Sequence, residues 1–260
     1  MSEDTNKDEN EKTDEHKDMG FFDHLEELRK RIIFSLIALI LTCILSAVFV
    51  DKIMEYVLLK PAIAAHLDLQ NLRPFGQPFL YFKVIFVVGI IAAFPFLLFQ
   101  LWRFVAPGLY VNERKWVRQI TFFTSVCFLI GVMFAYFLMI PSMLSFAASF
   151  GTSKIKNIID VNEYFSFITI MLLASGLLFE MPMVSFVLSR FGIVSAGFLR
   201  KYRRHGIIIN LVLAAAITPT TDPISMMIFA VPLLMLYEIS VFVAAFGEKS
   251  KKKKEAAKND

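Results

Sequence analysis

Glu113 is the one acid in a short segment, residues 100–118 (QLWRFVAPGLYVNERKWVR), that also carries Arg103, Arg114, Lys115 and Arg118. A carboxylate among four cations is either a site for a cationic ligand or an internal ion pair. Glu180 stands inside an apolar run. A carboxyl at mid-span costs about 2.5–3.5 kcal/mol to insert. Such a group faces a cavity or a partner, or stays protonated and bonded within a bundle. Pro182, two residues on, leaves the Leu178 carbonyl without its helical N–H donor and adds a second polar defect. Glu27 has a simpler reading. Glu27 with Arg31 and Glu26 with Lys30 are i,i+4 pairs of the favourable orientation, each worth about 0.3–0.5 kcal/mol on an exposed helix. Asp222, in the turn T-P-T-T-D-P (Thr218–Pro223), is placed to cap a helix beginning at Ile224. Glu238, near the end of the last apolar run, can reach toward water.

Other chemistries find no footing. Gly192 and Gly197 have the Walker spacing, but Phe198 and Leu199 follow where Lys and Ser/Thr are needed, so no phosphate cradle forms. Neither H-E-x-x-H nor G-x-S-x-G occurs, and His16, His24, His66 and His205 are scattered. Cys43 and Cys127 lie in apolar runs and suggest neither a disulfide framework nor a metal site. The expectation is a protein that is no enzyme, carries no cofactor and binds no nucleic acid.

The elements that must position these acids are membrane helices. The 260 residues are 57% hydrophobic with 28 Phe, more apolar side chain than a soluble domain of this length can hide, and it falls in runs. Residues 1–20 are polar with mixed charge and cannot build a core. An amphipathic helix is expected from Phe21, with Asp23 and Glu26 as a capping box. It flows into a first span over residues 32–50. Residues 51–83 hold Pro61, Pro74 and Pro78 and read as bent surface helices. A second span covers residues 84–101, with Pro95 expected to kink it. A third covers residues 116–140 and is stopped by Pro141, and a fourth covers residues 164–191. The fifth run, residues 206–218, reaches only about 20 Å against a hydrocarbon core of about 30 Å. The last, residues 224–246, is broken by Pro232. The membrane domain thus runs over residues 21–247, followed by a lysine-rich, solvated tail at 248–260. The fold class is all-α: a polytopic membrane protein with six transmembrane helices.

Cations orient them. One side collects Arg29, Lys30 and Arg31, the basic loop around Glu113, Arg190, Arg200, Lys201, Arg203, Arg204 and the lysine tail. The other has Lys52, Lys60, Arg73, Lys83, Lys154 and Lys156. The positive-inside rule puts both termini in the cytoplasm.

Six separated motifs then carry a resemblance. They are Q-x-W-x-F-x-x-P-G-L-Y-x-x-E-R-K in the loop, H-L-x-E-L-R-K-R (His24–Arg31), F-A-Y-F-x-x-x-P (Phe134–Pro141), F-E-M-P (Phe179–Pro182), T-P-x-x-D-P and Y-E-I-S-V-F (Tyr237–Phe242). By these motifs and their order along the chain it resembles the TatC family, the multi-spanning subunit of the twin-arginine protein translocase. The resemblance implies a glove-shaped bundle with two short final helices in the inner membrane. It implies a receptor and core subunit that binds twin-arginine signal peptides of folded precursors. Small single-span subunits of the TatA/TatB type would be recruited, with self-association in a larger complex and export driven by the proton gradient. By the same resemblance Glu27 and Glu113 bind the signal peptide with Phe104 beside them. Glu180 becomes the intramembrane partner contact and Asp222 the far-side functional aspartate. Two carboxylates at one surface suit two guanidiniums, each able to form bidentate charge-assisted bonds. Gln77 and Met226 depart from the family pattern, where a glutamate and a glutamine are common. A proton-coupled secondary transporter using Glu180 is the rival, but the paired broken helices of such transporters are missing.

Overall fold

The computed structural model describes residues 21–105, 114–149, 158–217 and 223–259. The amphipathic start and the first apolar run form one helix, α1 (Phe21–Val48). Its backbone is already helical at Phe21, so the box expected at Asp23 and Glu26 lies inside the first turns rather than opening them. The 51–83 stretch folds into short pieces, as its prolines require: α2 (Val50–Ile53), a π-helical turn (Met54–Leu58) and α3 (Lys60–Ala64). A three-residue strand β1 (Asp68–Gln70) follows. The second span is longer than its apolar core suggests. As α4 it runs from Gly76 to Val105, taking in the amphipathic residues ahead of Val84, with Pro95 inside the helix.

The third span departs from expectation. α5 (Arg114–Phe134) passes into a π-helical turn (Ala135–Met139) and on into α6 (Ile140–Ser149) without stopping at Pro141. A proline ring clashes with the preceding turn of an ordinary helix, but the wider π turn leaves room for it, and Pro141 opens α6 where an N–H is dispensable. Pro232 likewise does not break α11 (Pro223–Asn259), which stays helical through and beyond it. One lost backbone bond is tolerated there because α11 packs along α8 and α10. The remaining elements are β2 (Ile158–Asp160), α7 (Val161–Leu178), α8 (Met181–Phe191), α9 (Ala196–Lys201) and α10 (Arg203–Ile217).

Five stretches are long and apolar enough to cross a bilayer: His24–Val48, Gly76–Phe104, Arg118–Ser149, Val161–Phe191 and Met226–Lys249. The 15-residue α10, expected as the short fifth of six, is not among them. Ile32, Phe34, Leu41, Phe79, Phe82 and Phe122 stay exposed, a surface that only lipid or another apolar helix can cover.

Contacts fix which ends lie together. α1 and α4 pack antiparallel, and the Thr42 hydroxyl donates to the Gly89 carbonyl at 2.9 Å. β1 and β2 pair in parallel, Leu69 opposite Ile159, so the entries to α4 and α7 lie on one side. There Asp160 caps α7 by accepting from the Asn162 N–H at 2.9 Å, which with the Asn162 side chain and Arg73 holds its carboxyl below the usual range. The core sits toward this side. Tyr164, 2% exposed, donates to the Leu58 carbonyl at 2.7 Å and accepts from the Ala62 N–H at 3.1 Å, tying the bent segment to α7. On the opposite side the ends of α8 and α11 meet α9 and the start of α10. Ser189 Oγ donates to the Ala244 carbonyl, Glu248 accepts from the Ala196 N–H, and Arg203 pairs with Glu238.

Candidate functional site

The start of α1 and the last turns of α4 build a groove of about 480 Å³ on the cation-rich side. Glu26, Glu27, Lys30, Arg31, Phe34 and Arg103 line it. Helical spacing puts Glu27, Lys30, Arg31 and Phe34 on neighbouring positions of α1. Both expected i,i+4 pairs form: Lys30 Nζ lies 2.8 Å from Glu26 Oε1, and Arg31 Nη2 donates to Glu27 Oε1 at 2.6 Å. They differ in setting. The first pair is open to solvent, whereas the second keeps only 16% and 21% of its side-chain exposure. Arg31 Nη1 also donates to Oε1 of the buried Gln100 on α4, at 3.2 Å. One turn further along α4, Phe104 stacks on His24, with ring centroids 4.4 Å apart and planes at 17°. Arg103 stands 6.0 Å from the Phe99 ring centroid. The structure thus brings Glu27 and Phe104 to one end of one helix pair. Glu113, expected to join them, lies outside the described residues.

Glu180 occupies a break in the fourth span. α7 ends at Leu178, the Glu180 N–H turns back to the Leu177 carbonyl at 3.1 Å, and α8 begins at Met181 with Pro182 in its first turn. The proline cannot donate to Leu178, so the helix is interrupted where the sequence places the defect. Glu180 is 7% exposed, and neither oxygen of its carboxyl has a hydrogen-bond partner among the described residues. Behind it α5 and α7 approach closely through Gly131, Ser175 and Gly176. The Ser175 hydroxyl donates to the Gly131 carbonyl at 2.9 Å. A Cβ on Gly176 would lie 2.5 Å from the Phe128 ring. Glu180 is far along the chain from the groove and belongs to a separate place in the fold. Asp222 lies outside the described residues, immediately ahead of Pro223 where α11 starts. Glu238, half exposed, is held by Arg203. No group of three or more potential metal ligands occurs among the described residues.

Two residues went unread in the sequence. Gln100 anchors Arg31; it opens the loop motif, but its contact had no signal beyond a polar side chain in the last turns of an apolar helix, four residues before Phe104 and hence on the same face. Asn210, 1% exposed in α10, has neither amide atom partnered among the described residues. A lone amide in an apolar run was the available signal.

The chain matches the family model described as Sec-independent protein translocase protein (TatC) over residues 23–232. It is 38% identical over 232 residues to the Sec-independent protein translocase protein TatC of Carboxydothermus hydrogenoformans, covering 89% of this chain and 95% of that protein. It is 34% identical over 243 residues to TatCy of Bacillus subtilis, covering 93% and 95%. Two crystal structures of a twin-arginine translocase receptor, TatC, superpose with TM-scores of 0.77 and 0.78 at 33% and 34% identity. They cover 86% and 85% of this chain and 99% of each of those.

Proposed function

This chain belongs to the TatC family of Sec-independent protein translocase proteins, and from that membership we propose that the groove at Glu27 is where it takes the arginine pair of a signal peptide. The protein is a multi-pass membrane subunit, the receptor and core of the twin-arginine translocase, and not an enzyme. The rival reading, a proton-coupled transporter built on Glu180, gains no support from these relatives.

The observation that carries the proposal is the convergence of Glu27, Gln100 and Phe104 where α1 crosses the end of α4. A half-buried carboxylate is a better guanidinium partner than an exposed one, because competing water is partly excluded. Glu113, in the segment between α4 and α5, supplies a second carboxylate for the second arginine. Phe104 offers an aromatic face, held in place by its stack on His24. Folded precursors dock here, on the cytoplasmic side of the inner membrane, with both chain termini on that side. Support for this sidedness is the gathering of Arg31, Arg103, Arg200, Lys201, Arg203 and Arg204 at the same ends of the bundle. The membrane domain spans residues 21–247, flanked by a leader at 1–20 and a tail at 248–260. Glu180 and Asp222 serve a later step. Glu180 meets the helix of a small single-span subunit, Asp222 acts on the far side, and the proton gradient drives transport in a self-associated complex.

Glu27→Ala tests the site. Losing a charge-assisted pair costs about 1.5–3 kcal/mol, so affinity for a twin-arginine peptide should fall roughly tenfold or more. The membrane level of the protein should not change. Titration of the purified variant with labelled peptide reads this directly, and unchanged affinity removes Glu27 from the site.

A further inference from the structure

A receptor for guanidinium groups should present bare carboxylates, and the described groove does not. Its lining carries three cations, Lys30, Arg31 and Arg103, against two acids, Glu26 and Glu27. Each acid is already paired with a cation of its own helix. The Glu27 pair is the closer and more buried of the two, and its guanidinium is anchored from behind by Gln100. An incoming arginine meets a carboxylate that already holds one.

We propose that Arg31 is a built-in competitor for Glu27, a resident guanidinium that occupies the carboxylate until a cargo guanidinium replaces it and that returns when the cargo leaves. This rests on the reading of Glu27 as an arginine-binding carboxylate. The exchange conserves chemistry. One guanidinium–carboxylate pair is given up and one is formed, with bonds of the same charge-assisted kind. At no stage is a half-buried carboxylate left unpaired, which would be the costly state. Gln100, on the neighbouring helix, accepts from Arg31 and keeps it beside the groove. The cost of displacing Arg31 falls on every cationic ligand alike. Every ligand must displace Arg31 to reach Glu27, so the affinity for any ligand at this carboxylate is divided by the same factor. Absolute affinity is lowered while the preference for arginine over lysine is left as the site geometry sets it. A cargo held this way is recognised and still released.

The test uses the full chain in lipid nanodiscs, titrated with a labelled peptide bearing an Arg-Arg pair and with a matched Lys-Lys peptide. Arg31→Gln should raise affinity for both by the same factor, roughly two- to tenfold, the range of a partly exposed to half-buried ion pair. Arg31→Lys keeps the charge but loses the planar fork, and should fall between wild type and Arg31→Gln. In a Glu27→Gln background the gain from Arg31→Gln should vanish, since no carboxylate remains to be freed. Unchanged or weaker binding by Arg31→Gln overturns the competitor. A gain that persists with Glu27→Gln also overturns it, because that gain is relief of general charge repulsion. The reading of Glu27 fails separately, by Glu27→Gln alone binding the Arg-Arg peptide as wild type does.

Discussion

Glu180 shows how far one residue can be read alone. A single acid between apolar stretches, two residues before a proline, announces a polar defect within a span. The structure supplies the helix break and two carboxyl oxygens with no hydrogen-bond partner among the described residues. A buried carboxyl with no hydrogen-bond partner among the described residues is a costly state that a partner helix would relieve. Glu180→Ala should leave the protein in the membrane at wild-type level and leave peptide affinity at the Glu27 groove unchanged. It should weaken in-membrane crosslinking of the fourth span to a single-span subunit, and export with it. Normal crosslinking and export would make Glu180 a structural residue. The Arg31–Gln100 contact was not legible in the same way. Its partners are 69 positions apart, and nothing in either local pattern names the other. The i,i+4 rule found Glu27 and Arg31 but could not say that α4 half-buries them.

At the scale of elements, apolar runs gave spans whose cores were right and whose ends were not. α4 starts well before Val84 because amphipathic residues extend a helix once its apolar centre has nucleated it. Prolines misled in two places: a π turn accommodates Pro141, and α11 continues through Pro232. The β1–β2 pair is three residues a side, too short for an alternating pattern to register. Close helix crossings depend instead on small residues, and these make a sharp prediction. Gly176→Leu puts side chain where the Phe128 ring already sits, 2.5 Å from the first added carbon. Overpacking of this kind costs about 1–3 kcal/mol, so the melting temperature in detergent should fall. Gly197→Ala, whose nearest neighbour would be Ser195 Oγ at 3.7 Å, should melt as wild type does. Equal melting of the two variants would mean that α5 and α7 do not cross as described.

For the whole molecule, the distribution of cations was the most informative feature of the sequence. It sorted the loops into two sides before any contact was known. The contacts agree on which ends lie together: β1 with β2 on one side, and α1 with the end of α4 on the other. A reporter fused after Lys154 should therefore read as external, and one fused at Arg204 as cytoplasmic. A cytoplasmic reading at Lys154 would reverse or break the six-helix arrangement. What the chain recognises was legible only through motifs matched in order along its length. Charge and periodicity alone left a transporter open, because an acid in a membrane serves either role.

An arginine pair received in the groove between α1 and α4 would lie beside Glu26. A photoreactive residue at Glu26, on the exposed lip of that groove, tests this placement most directly, with one at Phe79 on the opposite side as control. Membranes carrying these variants are irradiated with a radiolabelled twin-arginine precursor or its twin-lysine counterpart. An adduct should form from Glu26 with the twin-arginine precursor, little with the twin-lysine one and none from Phe79. Equal capture of both precursors at Glu26, or capture from Phe79 in its place, would contradict that placement.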